Sequence, residues 1–272
     1  HLPKEKRTLT FYSEGKDYWA HLEGLVGAIL VTSDIPICYI SSGEDDPGLC
    51  LNHSNLQTFM IGDGFIRNWL FENIDTDVMV MTMPDIGKFQ VRRSKHKVHY
   101  VYVQHSLVSL HMIYRKGAFD HYDTIFCAGP HHVKEIRAME ETYNLPAKNL
   151  VEHGYGRLDS IIEEAKKQPQ KVKRDGDPLH VLIAPTWGSK GTIESGIGED
   201  VVNQLIAQGY KVTLRPHPQT IKFAKDKVDR IVKKHGKNTM FNYEADIVGQ
   251  DSLHESDVMI GDWSGAALDY AF

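Results

Sequence analysis

The sequence predicts an α/β protein made of two parallel-sheet units facing across a cleft, and three observations carry that prediction. Apolar runs of strand length recur between amphipathic runs of helix length, as in a sheet covered on both faces. Between Lys166 and Pro178 the chain turns Lys/Gln/Asp/Gly/Pro-rich and loses apolar periodicity, which reads as a linker. In the last quarter, two polar segments directly follow apolar strands: Arg215-Pro216-His217-Pro218 after Tyr210 to Leu214, and Gly261-Asp262-Trp263-Ser264-Gly265 after Val258-Met259-Ile260. Each then lies at the C-terminal end of a buried strand, the edge where open α/β sheets bind ligands. The expected division is 1–168, a linker at 169–178, and 179–272, with the cleft as the natural ligand site. The second unit is expected to be incomplete, since only about two turns of helix fit after Ser264.

The strand-length runs, in order, are Leu9 to Tyr12, Pro36 to Ile40, Thr58 to Ile61, Val78 to Met81, His99 to Gln104, Thr124 to Ala128, His180 to Ala184, Lys211 to Arg215 and Asp257 to Ile260. Helical periodicity marks Tyr18 to Val31, Ile66 to Phe71, His131 to Tyr143, Leu158 to Lys167, Asp200 to Gln208 and Phe223 to His235. No repeat of solenoid period occurs.

A hydrophobic content of 41% with 25% charged residues fits a globular chain, not a disordered one. The formal charge of −5 argues against a protein that coats nucleic acid. Basic clusters at Arg92 to Lys97 and Lys222 to Lys237 are open to two readings: solvated faces, or attraction to an anionic membrane or polyanionic acceptor. Cys38, Cys50 and Cys127 are odd in number and lack CxxC spacing, so a reducing setting without a disulfide framework or zinc site is expected. The longest apolar run, Leu22 to Val31, carries Glu23 and is too short to span a bilayer. Neither HExxH nor DxD occurs, and the adjacent His131 and His132 should diverge on a helix, so no metal site is expected. The missing Walker loop argues against a nucleotide hydrolase, and no cofactor is expected. Trp19 and Trp69 read as packing residues; Trp187 and Trp263 sit in motif loops.

Pro216 and Pro218 stiffen a turn that holds the His217 imidazole out from the sheet, beside Arg215. Ser264 and Gly265 place a hydroxyl and free N–H groups where a helix is expected to begin, which suits a phosphate. Together these segments suggest a diphosphate site, with His217 and Arg215 as cationic donors. Arg215 is equally open to pairing with a carboxylate at the core edge. Asp262 reads first as the helix N-cap. Thr186 follows the strand His180 to Ala184 and could donate to phosphate or polyol. His105 follows Tyr100-Val101-Tyr102-Val103 and should emerge at the sheet's C-terminal edge.

With Gln104-His105, Gly154-Tyr155-Gly156-Arg157-Leu158-Asp159, Ala184-Pro185-Thr186-Trp187, Arg215-Pro216-His217-Pro218 and Asp262-Trp263-Ser264 followed by Asp269-Tyr270-Ala271, the chain resembles the CDP-glycerol glycerophosphotransferase family of teichoic-acid polymerases and primases. The resemblance is strongest from about His99 onward; Phe11-Tyr12-Ser13-Glu14-Gly15 matches the opening strand and loop of Gram-negative relatives less specifically. It implies a GT-B architecture of two Rossmann-like domains and transfer of a polyol phosphate from a CDP-polyol such as CDP-glycerol to a lipid-linked or polymer acceptor. The enzyme would sit at the cytoplasmic face of the membrane, attached peripherally. It implies His105 as the base for the acceptor hydroxyl, His217 as a second catalytic histidine, and Arg215, His217, Ser264, Gly265 and Thr186 around the donor phosphates. Asp269 matches a family carboxylate, and Arg157 and Asp159 match a crossover motif whose proline is Gly156 here; a salt bridge or helix cap accounts for that pair equally well. Three further positions depart from the pattern: Ser106 and Gly265 replace a glycine and a second serine, and Gly188 replaces an arginine for which Lys190 could substitute. The rival readings are a nucleotide-sugar glycosyltransferase or UDP-N-acetylglucosamine 2-epimerase-like enzyme, and a non-catalytic nucleotide-binding relative. The epimerase pattern expects Ser-Gly-Gly-Glu, against Ser264-Gly265-Ala266-Ala267 here.

Overall fold

In a computed structural model, which describes residues 2–87, 91–167, 176–245 and 251–271, the chain divides into two compact units, His1–Asp159 and Ser160–Phe272. The first holds β1 (Leu9–Ser13), α1 (Lys16–Thr32), β2 (Ile37–Ser41), β3 (Leu56–Met60), α2 (Phe65–Asn73), β4 (Val78–Met81), β5 (His99–Val103), α3 (Leu110–Ile113), β6 (Thr124–Cys127), α4 (Pro130–Tyr143) and β7 (Asn149–Glu152), and α5 (Gly156–Lys167) straddles the division. Most of the sequence-predicted linker, 169–175, falls outside the described residues.

The first unit is a seven-stranded sheet of order β3-β2-β1-β4-β5-β6-β7, parallel throughout. Both faces are buried, which is why its strands are apolar at successive positions. Tyr12, Met79, Met81, Tyr100 and Tyr102 pack on one face with Phe71 and Ile136. Phe11, Tyr39, Val80, Val101 and Val103 pack on the other with Trp19, Leu22 and Val26 of α1. Each such large side chain contributes about 1.5–3 kcal/mol of transfer free energy. Trp69 was expected in a core, yet it is 57% exposed on α2 beside exposed Phe65 and Ile66.

The second unit holds β8 (His180–Ile183), α6 (Ile197–Ala207), β9 (Lys211–Leu214), α7 (Pro218–Phe223), α8 (Lys225–His235), β10 (Phe241–Tyr243), α9 (Asp251–Glu255), β11 (Val258–Ile260) and α10 (Ala266–Tyr270). Its parallel sheet runs β10-β9-β8-β11. Val181, Ile183, Val212 and Leu214 bury one face against Val202 of α6 and Val228 and Ile231 of α8. The helix expected from Phe223 to His235 is two, broken at Ala224, whose φ of −131° and ψ of 36° leave helical space. Because the strands are parallel, the segments after β8, β9 and β11 all emerge at one edge.

Candidate active site

At that edge of the second unit, Asp262 is the organising group. Its Oδ1 accepts from the Thr186 N–H at 2.6 Å, and its Oδ2 accepts from the Thr192 N–H at 3.1 Å and hydroxyl at 2.8 Å. It is therefore not the expected N-cap. The helix α10 starts only at Ala266 with Gly265 at its N-cap, and the Asp262 carboxylate is taken up in fastening the loop after β8 to the loop after β11. Ser264 is nearer the capping role, its buried Oγ accepting from the Ala266 N–H at 3.2 Å. Among the described residues, the N–H groups of Ser264 and Gly265 make no hydrogen bond.

His217 caps α7 through its ring: Nδ1 accepts from the Gln219 N–H at 3.1 Å. Burial pushes its pKa down to about 4, against a smaller opposing pull from Glu194. The ring is thus neutral near pH 7, and with Nδ1 acting as acceptor its proton resides on Nε2. His217 offers a phosphate a neutral N–H donor, where a cation was expected. Its ring lies 6.1 Å from that of Trp187, which is half exposed.

Arg215 is 4% exposed and turned inward, with Nε 3.5 Å from Glu244 Oε1 and one terminal nitrogen donating to Ser252 Oγ at 3.2 Å. Of its two readings the structure displays the carboxylate pairing. Lys190 is exposed in the turn closed by the Gly191 N–H to Gly188 carbonyl bond. Gly188 has a φ of +111°, which an arginine there would strain. Asp269 is buried in α10. Glu194 was missed by sequence reasoning. Glu194 Oε1 accepts from the Thr220 hydroxyl at 2.6 Å and the Gly188 N–H at 3.3 Å, and its backbone carbonyl accepts from Lys227 Nζ. It thereby joins the loop after β8 to the helix that His217 caps, and no local pattern announces it.

In the first unit, His105 follows β5 and is gripped at both ring nitrogens. The Tyr102 hydroxyl lies 3.0 Å from Nδ1 and the Tyr114 hydroxyl 3.1 Å from Nε2, with the two hydroxyls 3.3 Å apart. Tyr18 and His21 of α1 each set a ring edge-on to the imidazole at 5.9 Å. The Tyr155 hydroxyl donates to the His105 carbonyl at 3.4 Å. His21 is held neutral by burial first, then by the positive fields of His105 and Arg157, and its buried Nδ1 has no hydrogen-bond partner among the described residues. Arg157, 7% exposed, acts on His21 beside His105 in the first unit, whereas Asp262, His217 and Ser264 lie in the second. His131 and His132 do not splay apart. Their rings lie 4.0 Å apart, and their Nε2 atoms hold the carbonyls of Leu107 and Val108 at 2.9 and 3.0 Å. They pin the loop that follows His105. Ser106 needs no glycine conformation in that loop, since its φ is not positive.

The sequence model of the CDP-glycerol:poly(glycerophosphate) glycerophosphotransferase family matches residues 91–272. The chain belongs to this family. The match takes in every one of these site residues except Tyr18 and His21, so this glycerophosphotransferase-family chain is of a transferase family. No curated protein sequence gives a significant match. Among solved structures, the Methanocaldococcus jannaschii UDP-GlcNAc 2-epimerase in complex with UDP-GlcNAc and UDP is similar at 12% identity with a TM-score of 0.63, covering 96% of this chain and 80% of that one. The S. aureus MnaA–UDP co-structure is similar at 9% identity and a TM-score of 0.63, covering 97% and 76%. UDP-GlcNAc 2-epimerase from Neisseria meningitidis bound to UDP-GlcNAc gives 8% and 0.58, covering 94% and 77%. At such identities the likeness establishes the fold, which is GT-B-like.

Proposed function

We propose that this glycerophosphotransferase-family chain transfers glycerol phosphate, or a similar polyol phosphate, from a CDP-polyol to a hydroxyl of a lipid-linked or surface-polymer acceptor, releasing CMP. The observation that carries this reading is the group of hydrogen-bond donors on one edge of the second sheet, the His217 Nε2–H and the Ser264 and Gly265 N–H groups, none with an acceptor among the described residues. Preorganised neutral donors of this kind suit a diphosphate whose charge grows on the departing CMP. Thr186 and the Ser264 hydroxyl add donors on the same loops, which Asp262 holds in register. Arg215 acts from behind, aligning the turn that bears His217.

His105 serves the other substrate. The acceptor hydroxyl takes the place of the Tyr114 hydroxyl on Nε2 and gives its proton to the imidazole. The resulting oxygen attacks the β-phosphorus. The bond from that phosphorus to the bridging oxygen breaks, and CMP departs with the electron pair. Acceptor activation therefore falls to His105 and donor binding to His217. The reaction is assigned to the cytoplasmic face of the membrane with peripheral attachment; no described helix is long and apolar enough to cross a membrane.

The test is incubation of the protein with CDP-glycerol or UDP-sugars and a defined acceptor, scored for CMP, UDP and product mass. Acceptor-dependent CMP with glycerol phosphate added to the product supports the reading. UDP release or sugar epimerisation assigns the chain to nucleotide-sugar chemistry, and CDP binding without turnover assigns it to a non-catalytic binding role.

A further inference from the structure

His21 is an imidazole that neither the fold nor the donor chemistry uses. It sits in the second turn of α1, the helix that begins at Lys16 after the Gly15 N-cap, just past the C-terminal end of β1. Trp19, Leu22 and Val26 of this helix pack into the core against the sheet. Tyr18 and His21, three residues apart, share another stripe of the helix and meet the His105 imidazole edge-on, each with its ring centre 5.9 Å away. His21 also lies 5.7 Å from the ring of Tyr155, whose hydroxyl donates to the His105 carbonyl at 3.4 Å. All these groups belong to the first unit.

The other histidines around this strand end are committed. His105 is held at both nitrogens by Tyr102 and Tyr114, and His131 and His132 hold the carbonyls of the loop that follows it. Neither ring nitrogen of His21 makes a hydrogen bond among the described residues, and its Nδ1 is shut off from solvent. A neutral imidazole carries one N–H and one lone pair, so an unmet donor and an unmet acceptor stand beside the base. A buried polar atom left unpaired is costly, and a ligand oxygen that pairs with it recovers that cost on binding. The spacing suits such a ligand. Two hydrogen bonds of about 2.9 Å laid end to end span about 5.8 Å, so a substrate bonded to His105 reaches His21 through the same small group of atoms.

We propose that His21 is a specificity-determining residue of the acceptor subsite, which hydrogen-bonds a second hydroxyl on the carbon next to the one that bears the reactive hydroxyl. This rests on the reading of His105 as the acceptor base. The class of acceptor selected is a vicinal diol, such as the end of a glycerol or longer polyol unit. The reactive hydroxyl gives its proton to His105, while its neighbour is held by His21, which keeps its own proton throughout. An acceptor with a single hydroxyl leaves the His21 nitrogens unmet and is the poorer substrate, as for any site built to bond a group its ligand lacks. His21 lies before residues 91–272, so this selectivity is carried by a part of the chain that the family model does not match.

The experiment compares two acceptors with CDP-glycerol as donor: octyl glycerol ether, which ends in adjacent hydroxyls, and octyl ethylene glycol ether, which ends in one. Wild type should favour the diol about tenfold in kcat/KM for CMP release. His21→Phe keeps a flat ring among its aromatic neighbours without polar atoms; it should lower kcat/KM for the diol about tenfold, leave the single-hydroxyl acceptor unchanged and so erase the preference. His21→Gln returns a donor and an acceptor and should restore part of it. Equal losses on both acceptors, or an undiminished preference in His21→Phe, overturn the proposal. Wild type alone supplies a check that needs no variant and no turnover, in NMR spectra of the histidine rings of isotope-labelled full chain without donor. Octyl glycerol ether should shift both His105 and His21, and octyl ethylene glycol ether His105 alone; a His21 signal unmoved by the diol overturns the proposal. If wild type releases no CMP from CDP-glycerol, the donor assignment falls, while the NMR shifts still support or overturn the role of His21.

Discussion

Replacing Asp262 should loosen the donor-side edge from within, before any substrate is considered. Its carboxylate accepts three hydrogen bonds, two from main-chain N–H groups that have no other acceptor among the described residues. Hydrogen bonds to a charged group are worth about 1.5–3 kcal/mol each, and the low end applies to a half-buried group. From the two main-chain bonds alone, Asp262→Ala should therefore cost about 3 kcal/mol in the loops after β8 and β11. Asp262→Asn keeps one good acceptor oxygen and should cost about half as much. A chain of two units need not unfold in one transition, so the local readout is amide hydrogen exchange at Thr186 and Thr192. At about 1.4 kcal/mol per tenfold, Asp262→Ala should speed exchange roughly 100-fold or more, and Asp262→Asn about tenfold. Wild-type protection at both amides in Asp262→Ala would refute the role assigned to this carboxylate.

Further outcomes follow from the same geometry. His217→Asn retains a capping oxygen for the Gln219 N–H but loses the Nε2–H, so stability should change little while kcat/KM for CMP release falls about 100-fold; equal losses of both would point to a structural role. Gly188→Arg, which restores the family's residue, should destabilise the chain by about 1–3 kcal/mol because of the positive φ there, read by urea unfolding. The two shifted groups pull stability in opposite directions with pH. His217 is depressed from 6.5 to about 4, so the unfolded state takes the proton first and stability falls between those values by up to about 3 kcal/mol. Glu14 is raised from 4.5 to about 7, so its contribution is whole below 4.5 and disappears as pH rises through 7. Urea titrations across pH should show the acid limb flattened in His217→Asn and the neutral limb flattened in Glu14→Gln.

The central strands were legible because burial on both faces forces successive apolar residues, as in Val78 to Met81 and His180 to Ile183. Two strands escaped notice, and both lie at sheet edges. The residues of β7 are largely exposed and polar, and β10 is only three residues long, so neither carries the apolar run that betrays a buried strand. The site was legible where proline and glycine set local geometry, as at Pro216 to Pro218. It was illegible where partners come from afar. Asp262 read as a cap because capping is a local signal, whereas its actual partners stand 70 and 76 residues away. Nothing near Glu194 announces its bond to Thr220. The inward pairing of Arg215 depends on Glu244, delivered by a separate strand. His105 was visible as a polar residue after a strand, and Tyr102, three residues earlier, could have been suspected as its partner; Tyr114 and His21 could not.

The proposed transfer depends on the acceptor oxygen attacking the β-phosphorus of a cytidine diphosphate donor. Transfer from CDP-glycerol to an acceptor whose hydroxyl carries oxygen-18, followed by mass spectrometry of both products, tests this directly. Attack at the β-phosphorus gives unlabelled CMP and an acceptor–glycerol phosphodiester that keeps the label in its new P–O bond. Label in the CMP, or a product formed only from UDP-sugars, would contradict it.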